Sequence, residues 1–451
     1  MELTAFFPFF LLLLAWAARS ERHWLAATGF SCFLQGASPF ILTAGGRLAG
    51  VAPAYLLVFV GMYHMLCTPA PLGARFRREP QRWSLPHIWL WLFTLVGVAG
   101  ALLLPRVFQG VAHAMDTRSS INSAALYAVM PSSTNFIQAF YLLLNLALFS
   151  LASRFVKRDD EGIRHGLRGV ALGLAFACAL GVYQLVAFHT GLPWPAEVIN
   201  SNTGVGQFPE QMAGSIKRIT STFWEPSLLG YNFVGCIGLF LMGRRHVWLG
   251  VAALCVMLLS TSSLGYFGFL ALLIVWLAID RRSAMSVKLK VFGAVVAVAT
   301  LFILADYLTL DGEVLDTMVL NKGDSSSGVG RAAADRFALQ TFLESGGFGV
   351  GVGSARASSF VATLLATTGF PGLIAFVGFA VSLVLACRRS RDPQAMQLCY
   401  GLLGFLIVWA IAIPDSVQAL FWFIAGIAAG HVSRLGRTDS PRSETVACPA
   451  K

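Results

Sequence analysis

Charged residues are scarce in this sequence, and their distribution is informative. Only 12% of the 451 residues are Asp, Glu, Lys or Arg, whereas 56% are apolar and the mean hydropathy is +0.69. No charged residue lies near the centre of any long apolar run. The composition excludes a soluble globular domain. The lack of charge inside the runs argues against an ion-coupled transporter, because such proteins keep ionisable residues there as relays.

Motifs for metals, nucleotides and disulfide bonds are also missing. There is no paired-cysteine or Cys/His spacing typical of zinc, no phosphate-binding loop and no EF-hand loop. Seven of the eight cysteines fall in or at the ends of apolar runs, and Cys448 lies near the C-terminus. They are therefore interpreted as small buried hydrophobic residues. We expect no metal and no cofactor.

Apolar segments long enough to cross a bilayer recur along the whole chain. Most are roughly 16 to 22 residues long, which suits a helix crossing a hydrocarbon core of about 30 Å. The sequence predicts an all-α polytopic integral membrane protein with 12 or 13 transmembrane helices, since the short first segment leaves the number open. The predicted segments are 3–18, 24–44, 50–67, 87–105, 133–152, 168–189, 226–242, 247–261, 264–279, 289–308, 358–386, 396–413 and 417–433.

Basic residues predict which loops face the cytoplasm. Alternate loops and the C-terminal tail hold 24 of the 33 Lys and Arg residues, and the other loops hold nine. Because Lys and Arg are retained on the cytoplasmic side, the poorer set faces outside, including the long loops 106–132, 190–225 and 309–357. Residues 1–433 are predicted to form one transmembrane domain, and 434–451 a disordered cytoplasmic tail. The net charge of +11 thus reflects topology and contact with membrane lipid, so no nucleic-acid partner is expected.

The second long loop ends in the sequence KRITSTFWEPSLLGYN, residues 217–232. Pro226 suits the first turn of a helix, which places Glu225 at the outer mouth of the following span. An acid there has a plain structural explanation, since it complements the helix dipole and caps free N–H groups.

The neighbours of Glu225 favour a catalytic alternative. Lys217 and Arg218 lie upstream, and Trp224 and Tyr231 supply flat apolar faces against which sugar rings stack. A carboxylate beside aromatic rings and a guanidinium group suits the activation of an acceptor hydroxyl.

The third long loop contains a predicted amphipathic helix over 331–343, lying on the bilayer surface. Arg331 and Asp335 are four residues apart on its polar side, so a simple ion pair between them is one interpretation. Arg336 follows on the same helix.

A glycine-rich stretch, GGFGVGVGSAR at 346–356, comes next. It does not match a dinucleotide-binding fingerprint, and no strand precedes it. Gly349, Gly351 and Gly353 permit close approach of a ligand to backbone N–H groups, and Arg356 supplies a fork that binds phosphate oxygens. This stretch is therefore a candidate pyrophosphate cradle.

Two segments resemble a known family, the membrane polysaccharide polymerases and O-antigen ligases, which act on undecaprenyl-diphosphate-linked glycans. RITSTFWEPSLLGYN, 218–232, looks like the arginine-bearing outward loop of exopolysaccharide polymerases. GRAAADRFALQTFLESGGFGVGVGS, 330–354, and SSFVATLLATTGFPGLIAF, 358–376, look like the family's large periplasmic loop and the helix after it. That helix carries a G-x-x-G motif, here Gly369 and Gly372.

The resemblance implies a multi-pass protein of the bacterial inner membrane whose site faces the periplasm. Its substrates would be undecaprenyl-diphosphate-linked oligosaccharides, and a flippase and a chain-length regulator are implied partners. Glu225, Arg218 and Arg331 are the implied catalytic residues. Binding of the diphosphate and sugar is assigned to Lys217, Trp224, Tyr231, Arg336, Gly349, Gly351, Gly353 and Arg356.

One departure from the family pattern bears on the type of enzyme. Where ligases of the family carry a histidine and an asparagine at the start of the helix, this chain has Ser358 and Ser359. A polymerase of the exopolysaccharide or capsule type is therefore favoured over a ligase. A transporter or flippase of lipid-linked oligosaccharides and a scaffold protein remain as alternatives of a different class.

Overall fold

The computed structural model describes residues 1–438 apart from 45–46, 68–83, 116–124, 214–215, 282, 311, 313–314 and 317–325. It is 71% helical, which confirms the predicted all-α polytopic class. The helices are α1 Phe7–Ala18, α2 Glu21–Ser31, α3 Pro53–Cys67, α4 Leu85–Val107, α5 Ser133–Arg158, α6 Gly162–Thr190, α7 Ala196–Ile199, α8 Pro226–Ile237, α9 Val247–Leu259, α10 Ser263–Ile279, α11 Met285–Leu310, α12 Ser326–Glu344, α13 Phe360–Arg389, α14 Pro393–Ile411 and α15 Ala419–Thr438.

Thirteen of these helices correspond to the thirteen predicted segments; α7 and α12 lie between them. Seven are long and apolar enough to cross a membrane, namely α4, α5, α6, α11, α13, α14 and α15. Five shorter apolar helices accompany them, α1, α3, α8 with its π-helical continuation Gly238–Met242, α9 and α10. The remaining one, α2, has only 11 residues.

The predicted span 24–44 is therefore wrong as a single helix. The chain leaves the helix after Ser31 and forms a strand at Phe40–Ala44. Gly36 lies in the turn between them, and a Cβ there would stand 3.0 Å from the carbonyl oxygens of Ile199 and Thr222. The bend depends on this distant loop, which the hydropathy of 24–44 does not reveal.

Helix starts follow local capping chemistry. Ser20 and Ser262 accept a backbone N–H from the first turns of α2 and α10, and Asp392 accepts two from α14. Proline occupies the first turn of α8 and of α14, where it has no N–H to leave unpaired. These signals account for helix boundaries that hydropathy alone leaves open.

The bundle core is rich in aromatic side chains. Trp409 of α14 stacks on Phe360 of α13 with ring centroids 4.4 Å apart, and Phe421 of α15 lies 4.6 Å from Trp409. Trp422 and Phe379 stack beside them at 5.7 Å. Such rings bury large apolar areas in defined geometry, so they contribute strongly to the packing of α13, α14 and α15.

One end of the bundle, here called the loop face, gathers the described parts of 36–52, 108–132, 191–225, 345–359 and 412–418. Hydrogen bonds join them: Gly36 N to Thr222 O at 2.8 Å, and Arg356 N to Met115 O at 3.2 Å. Its small antiparallel sheets comprise β1 Glu2–Leu3, β2 Phe40–Ala44, β3 Arg47–Gly50, β4 His113–Met115, β5 Leu126–Ala128, β6 Met212–Ala213 and β7 Ile216–Lys217; β1 pairs with β2, β2 with β3, β4 with β5, and β6 with β7.

The opposite end, here called the basic end, carries paired charges. Arg22 contacts Asp159, with Nη2 2.9 Å from Oδ1, and Arg158 contacts Glu21 at 3.1 Å. Arg434 contacts Asp160 at 3.0 Å. Because α15 continues to Thr438, the predicted tail 434–451 is helical over its first residues. Residues 439–451 lie outside the described residues.

Candidate functional site

The glycine-rich stretch packs against a break in α13. Gly369 has φ 62° and ψ −162°, which interrupts the helix, and Pro371 has no N–H to donate. The carbonyl groups of Ala366 and Thr367 consequently lose their usual partners. They accept instead the N–H groups of Val350 and Gly351, each at 2.9 Å.

The predicted pyrophosphate cradle needs correction at Gly349 and Gly351, whose N–H groups bind within the protein. Gly349 N donates to Ser345 Oγ at 2.9 Å, and Gly351 N donates to Thr367 O. These amides are engaged within the protein. The glycines are needed because their φ angles are positive, at 76° for Gly349, 95° for Gly351 and 87° for Gly353. Added Cβ atoms would also meet the backbone of Thr367, Gly100 and Thr134, respectively.

Helix α12 is present, and one side of it packs against protein, whereas Leu339 and Leu343 are exposed. Ala334, Ala338 and Phe342 are buried between β4 and α13, and Phe342 contacts Phe370 with centroids 4.9 Å apart. At its C-terminal end Glu344 accepts the backbone N–H of His113 at 2.7 Å. The helix is thus held on the loop face by the hairpin β4–β5 and by the broken helix.

The simple ion pair between Arg331 and Asp335 is not formed. Asp335 Oδ1 accepts the backbone N–H groups of Ser358 at 2.6 Å and Ser359 at 3.0 Å. The carboxylate thereby joins α12 to the start of α13. In the part of the chain that the structure describes, Arg331 has no salt bridge.

Arg218 lies within electrostatic range of Glu225 and of Arg331. Burial lowers the pKa of the Arg218 guanidinium; the Glu225 carboxylate opposes this shift, and the positive charge of Arg331 adds to it. Arg218 donates from Nη2 to Thr261 O at 3.3 Å, but its Nε is buried without a hydrogen-bond partner among the described residues. Two guanidinium groups and one carboxylate leave a local excess of positive charge.

Glu225 occupies the predicted position at the start of α8. It is the N-cap residue, with Pro226 following, but its side chain makes no capping hydrogen bond to the backbone. Oε1 instead accepts the hydroxyl of Ser227 at 2.5 Å. The capping explanation therefore does not account for the carboxylate, whose second oxygen has no hydrogen-bond partner among the described residues.

A cavity of about 230 Å³ opens between α4, α5, α13 and the loop before α15; Arg218, Glu225 and Arg331 do not line it. Arg356 and Gly353 line it, as predicted site residues. Phe360 lines it too, and this ring stacks on Trp409, which packs on Tyr231 of α8 at 5.7 Å. The remaining lining residues are Phe93, Thr134, Gln138, Leu142, Val352, Ala355, Thr363, Leu364, Thr367, Thr368, Pro414, Asp415 and Ser416.

Other predicted residues lie elsewhere. Lys217 is buried, and its Nζ donates to Pro209 O and lies 3.2 Å from Glu210 Oε2. The same ammonium group lies over the Phe188 ring. Tyr231 is fully buried in the aromatic core. Trp224 is half-buried near Glu225, and Arg336 is exposed on α12.

Several polar residues of the cavity were not anticipated from the sequence, among them Asp415 and Gln138. Asp415 is the only acid between the last two apolar spans, and Gln138 lies one turn into α5. The signal for Asp415 was present, because a Pro-Asp-Ser turn separates those spans on the loop face. Gln138 had no such signal, since a lone glutamine near a helix start is common.

No protein-family model matches the sequence, and no curated protein matches it significantly. A buried, partly unpaired guanidinium beside a second arginine attracts an anion with several oxygens. The adjoining carboxylate and polar cavity suit a hydroxylated ligand.

Proposed function

We propose that the protein is a membrane glycosyltransferase that joins undecaprenyl-diphosphate-linked oligosaccharide repeat units into a polysaccharide. The observation that carries the proposal is the cluster of Arg218, Arg331 and Glu225. Its excess positive charge matches a diphosphate leaving group, and its carboxylate matches the proton acceptor that an attacking hydroxyl requires. The resemblance of 218–232 and 330–376 to polysaccharide polymerases supports the same assignment.

The reaction requires one bond to form as another breaks. An acceptor hydroxyl oxygen bonds to the anomeric carbon of the donor sugar, and the bond from that carbon to the diphosphate oxygen breaks. The hydroxyl proton passes to Glu225, and undecaprenyl diphosphate leaves with the bonding electron pair. Arg218, Arg331 and Arg356 stabilise the charge that develops on it.

The cavity suits the sugar part of this substrate. Arg356 and Asp415 are among its polar lining residues, and Phe360 and Phe93 supply apolar ring surface. Sugar rings combine hydroxyl groups with apolar faces, so lining residues of both kinds are appropriate. We place the site on the periplasmic side of a bacterial inner membrane, because the basic end holds the residues that the charge rule retains inside.

Purified protein in nanodiscs supplied with its host's lipid-linked repeat units tests the proposal. We expect wild-type protein to produce a glycan ladder on a gel. Glu225→Gln, which keeps the shape but removes the base, is expected to slow extension about 10²–10⁴-fold. Arg218→Lys keeps the positive charge but loses the planar guanidinium group that binds two phosphate oxygens at once, and we expect it to slow extension as well.

Glu197→Gln is the matched control, because Glu197 is an exposed acid of the same loop. It should extend repeat units like wild type. If folded wild-type protein leaves the repeats unextended, the proposal is wrong. Transfer to a different lipid acceptor would then identify a ligase, and movement of unmodified repeats across the bilayer would identify a transporter.

A further inference from the structure

Asp335 joins two segments that carry arginines of the candidate site. It lies one helical turn after Arg331 on α12, and its Oδ1 accepts the N–H groups of Ser358 at 2.6 Å and Ser359 at 3.0 Å. Ser358 follows Arg356 by two residues. We propose that Asp335 is a positioning residue that sets the placement of Arg331 relative to Arg356, so that both guanidinium groups reach one diphosphate. This inference rests on the proposed function.

The two hydrogen bonds are not ordinary helix caps. Ser359 is the N-cap of α13, and its own Oγ accepts the first-turn N–H of Ala362 at 3.4 Å. Asp335 binds instead to the N–H groups of Ser358 and Ser359, which precede the first turn. It therefore fixes the chain as it enters α13, in the stretch that leads from Arg356.

The Asp335 carboxylate is a strong acceptor for the N–H groups of Ser358 and Ser359. Hydrogen bonds from backbone N–H groups to a carboxylate are roughly twice as strong as bonds between neutral groups. The positive end of the α13 dipole adds to this attraction. Since 23 residues separate Asp335 from Ser358, the bonds are a tertiary link between elements and not a local turn.

The two ends of α12 are held separately. Its C-terminal end is anchored through Glu344 to His113 N at 2.7 Å and through Thr341 Oγ1 to His113 O, also at 2.7 Å. Loss of the Asp335 link therefore leaves the helix docked at that end. The half that carries Arg331 gains freedom, and an arginine displaced by about 1 Å is enough to weaken a bidentate phosphate contact severely.

Binding of farnesyl diphosphate to the full chain in nanodiscs tests the inference, with farnesyl monophosphate as the comparison ligand. We expect Asp335→Ala to raise the Kd for the diphosphate about tenfold or more and to speed amide exchange in 356–360. Asp335→Asn keeps an oxygen acceptor and should recover most of the affinity. Ser359→Ala removes the local cap of α13 and should leave the Kd within about twofold of wild type.

The outcomes separate the two proposals. If wild-type protein binds the diphosphate no better than the monophosphate, both the proposed function and the positioning role are wrong. If wild type binds it and Asp335→Ala binds equally well despite faster exchange at 356–360, only the positioning role is wrong. If Ser359→Ala loses as much affinity as Asp335→Ala, at the same loss of thermal stability, then Asp335 only stabilises the start of α13 and does not position the arginines.

Discussion

At the scale of single residues, Gly369 determines the path of α13. Its φ of 62° and ψ of −162° are costly for any residue with a side chain, and an added Cβ would overlap the Gly347 carbonyl. We expect Gly369→Ala to lower the free energy of unfolding by about 1–3 kcal/mol or more. Thermal unfolding in detergent measures this.

Gly293→Ala is the control for that substitution. Gly293 lies in α11 with helical φ, and nothing stands within 4 Å of the position of an added Cβ. Alanine there should be neutral or slightly stabilising. If Gly369→Ala and Gly293→Ala are equally stable, the break in α13 accommodates a side chain at position 369 without strain, and the prediction is wrong.

The same region shows what sequence reasoning reaches at residue scale. The alternating glycines led us to predict close approach of a ligand, whereas their positive φ angles bring the chain close to other parts of the backbone. The partner was not predictable, because the free carbonyl groups of Ala366 and Thr367 arise from a helix break about 16 residues further along. Similarly, the four-residue spacing of Arg331 and Asp335 suggested an ion pair between them. The structure instead pairs the Asp335 carboxylate with the backbone N–H groups of Ser358 and Ser359.

At the scale of elements, Asp392 connects α14 to α15 at the basic end. Its Oδ2 accepts the N–H of Gln394 at 2.8 Å and of Ala395 at 2.9 Å, and His431 Nε2 lies 2.8 Å away. Partial burial raises the pKa of the Asp392 carboxyl, but the contacts with His431 and with the two amides outweigh this and lower it overall.

A lowered folded-state pKa sets the sign of the pH dependence. The stabilisation is present above the unfolded-state pKa of about 3.9 and is lost as the pH falls through the lower folded-state value. We expect Asp392→Asn to be less stable than wild type at pH 7, and its thermal midpoint to fall less between pH 6 and pH 3.5. Parallel midpoint curves for the two proteins would contradict this.

Asp160→Asn is the matched control at the same end. Asp160 pairs with Arg434 at 3.0 Å, but its side chain is 92% exposed. Exposed ion pairs contribute little, about 0–1 kcal/mol. Its midpoint curve should therefore follow that of wild type.

Helix prediction succeeded where the signals are local. Pro226 predicted the start of α8 correctly, because a proline restricts the backbone within its own turn. The segment 24–44 failed because an apolar composition suits a helix and a buried turn equally well. What distinguishes them there is the contact of Gly36 with 199–222, which no window of the sequence contains.

At the scale of the whole molecule, the two ends of the bundle differ in charge and in content. The loop face carries Arg218, Glu225, Arg331 and the cavity, and among the described residues the basic end carries Arg22, Arg158 and Arg434 with their acidic partners. The sequence predicted this division without any contact information, because topology depends on where Lys and Arg fall along the chain. The proposed reaction requires the loop face to lie outside the cytoplasm, where lipid-linked repeats are joined.

Labelling with a membrane-impermeant maleimide tests that orientation. Glu210 on the loop face has a side chain 82% exposed, and Asp160 at the basic end has one 92% exposed. In intact spheroplasts we expect Glu210→Cys to be labelled and Asp160→Cys to be labelled only after permeabilisation. The unsubstituted protein shows the background from the native cysteines, of which Cys67 and Cys255 are exposed on the bundle. The reverse pattern would put the arginine cluster in the cytoplasm and would contradict polymerisation at the outer surface, whatever the chemistry of the site.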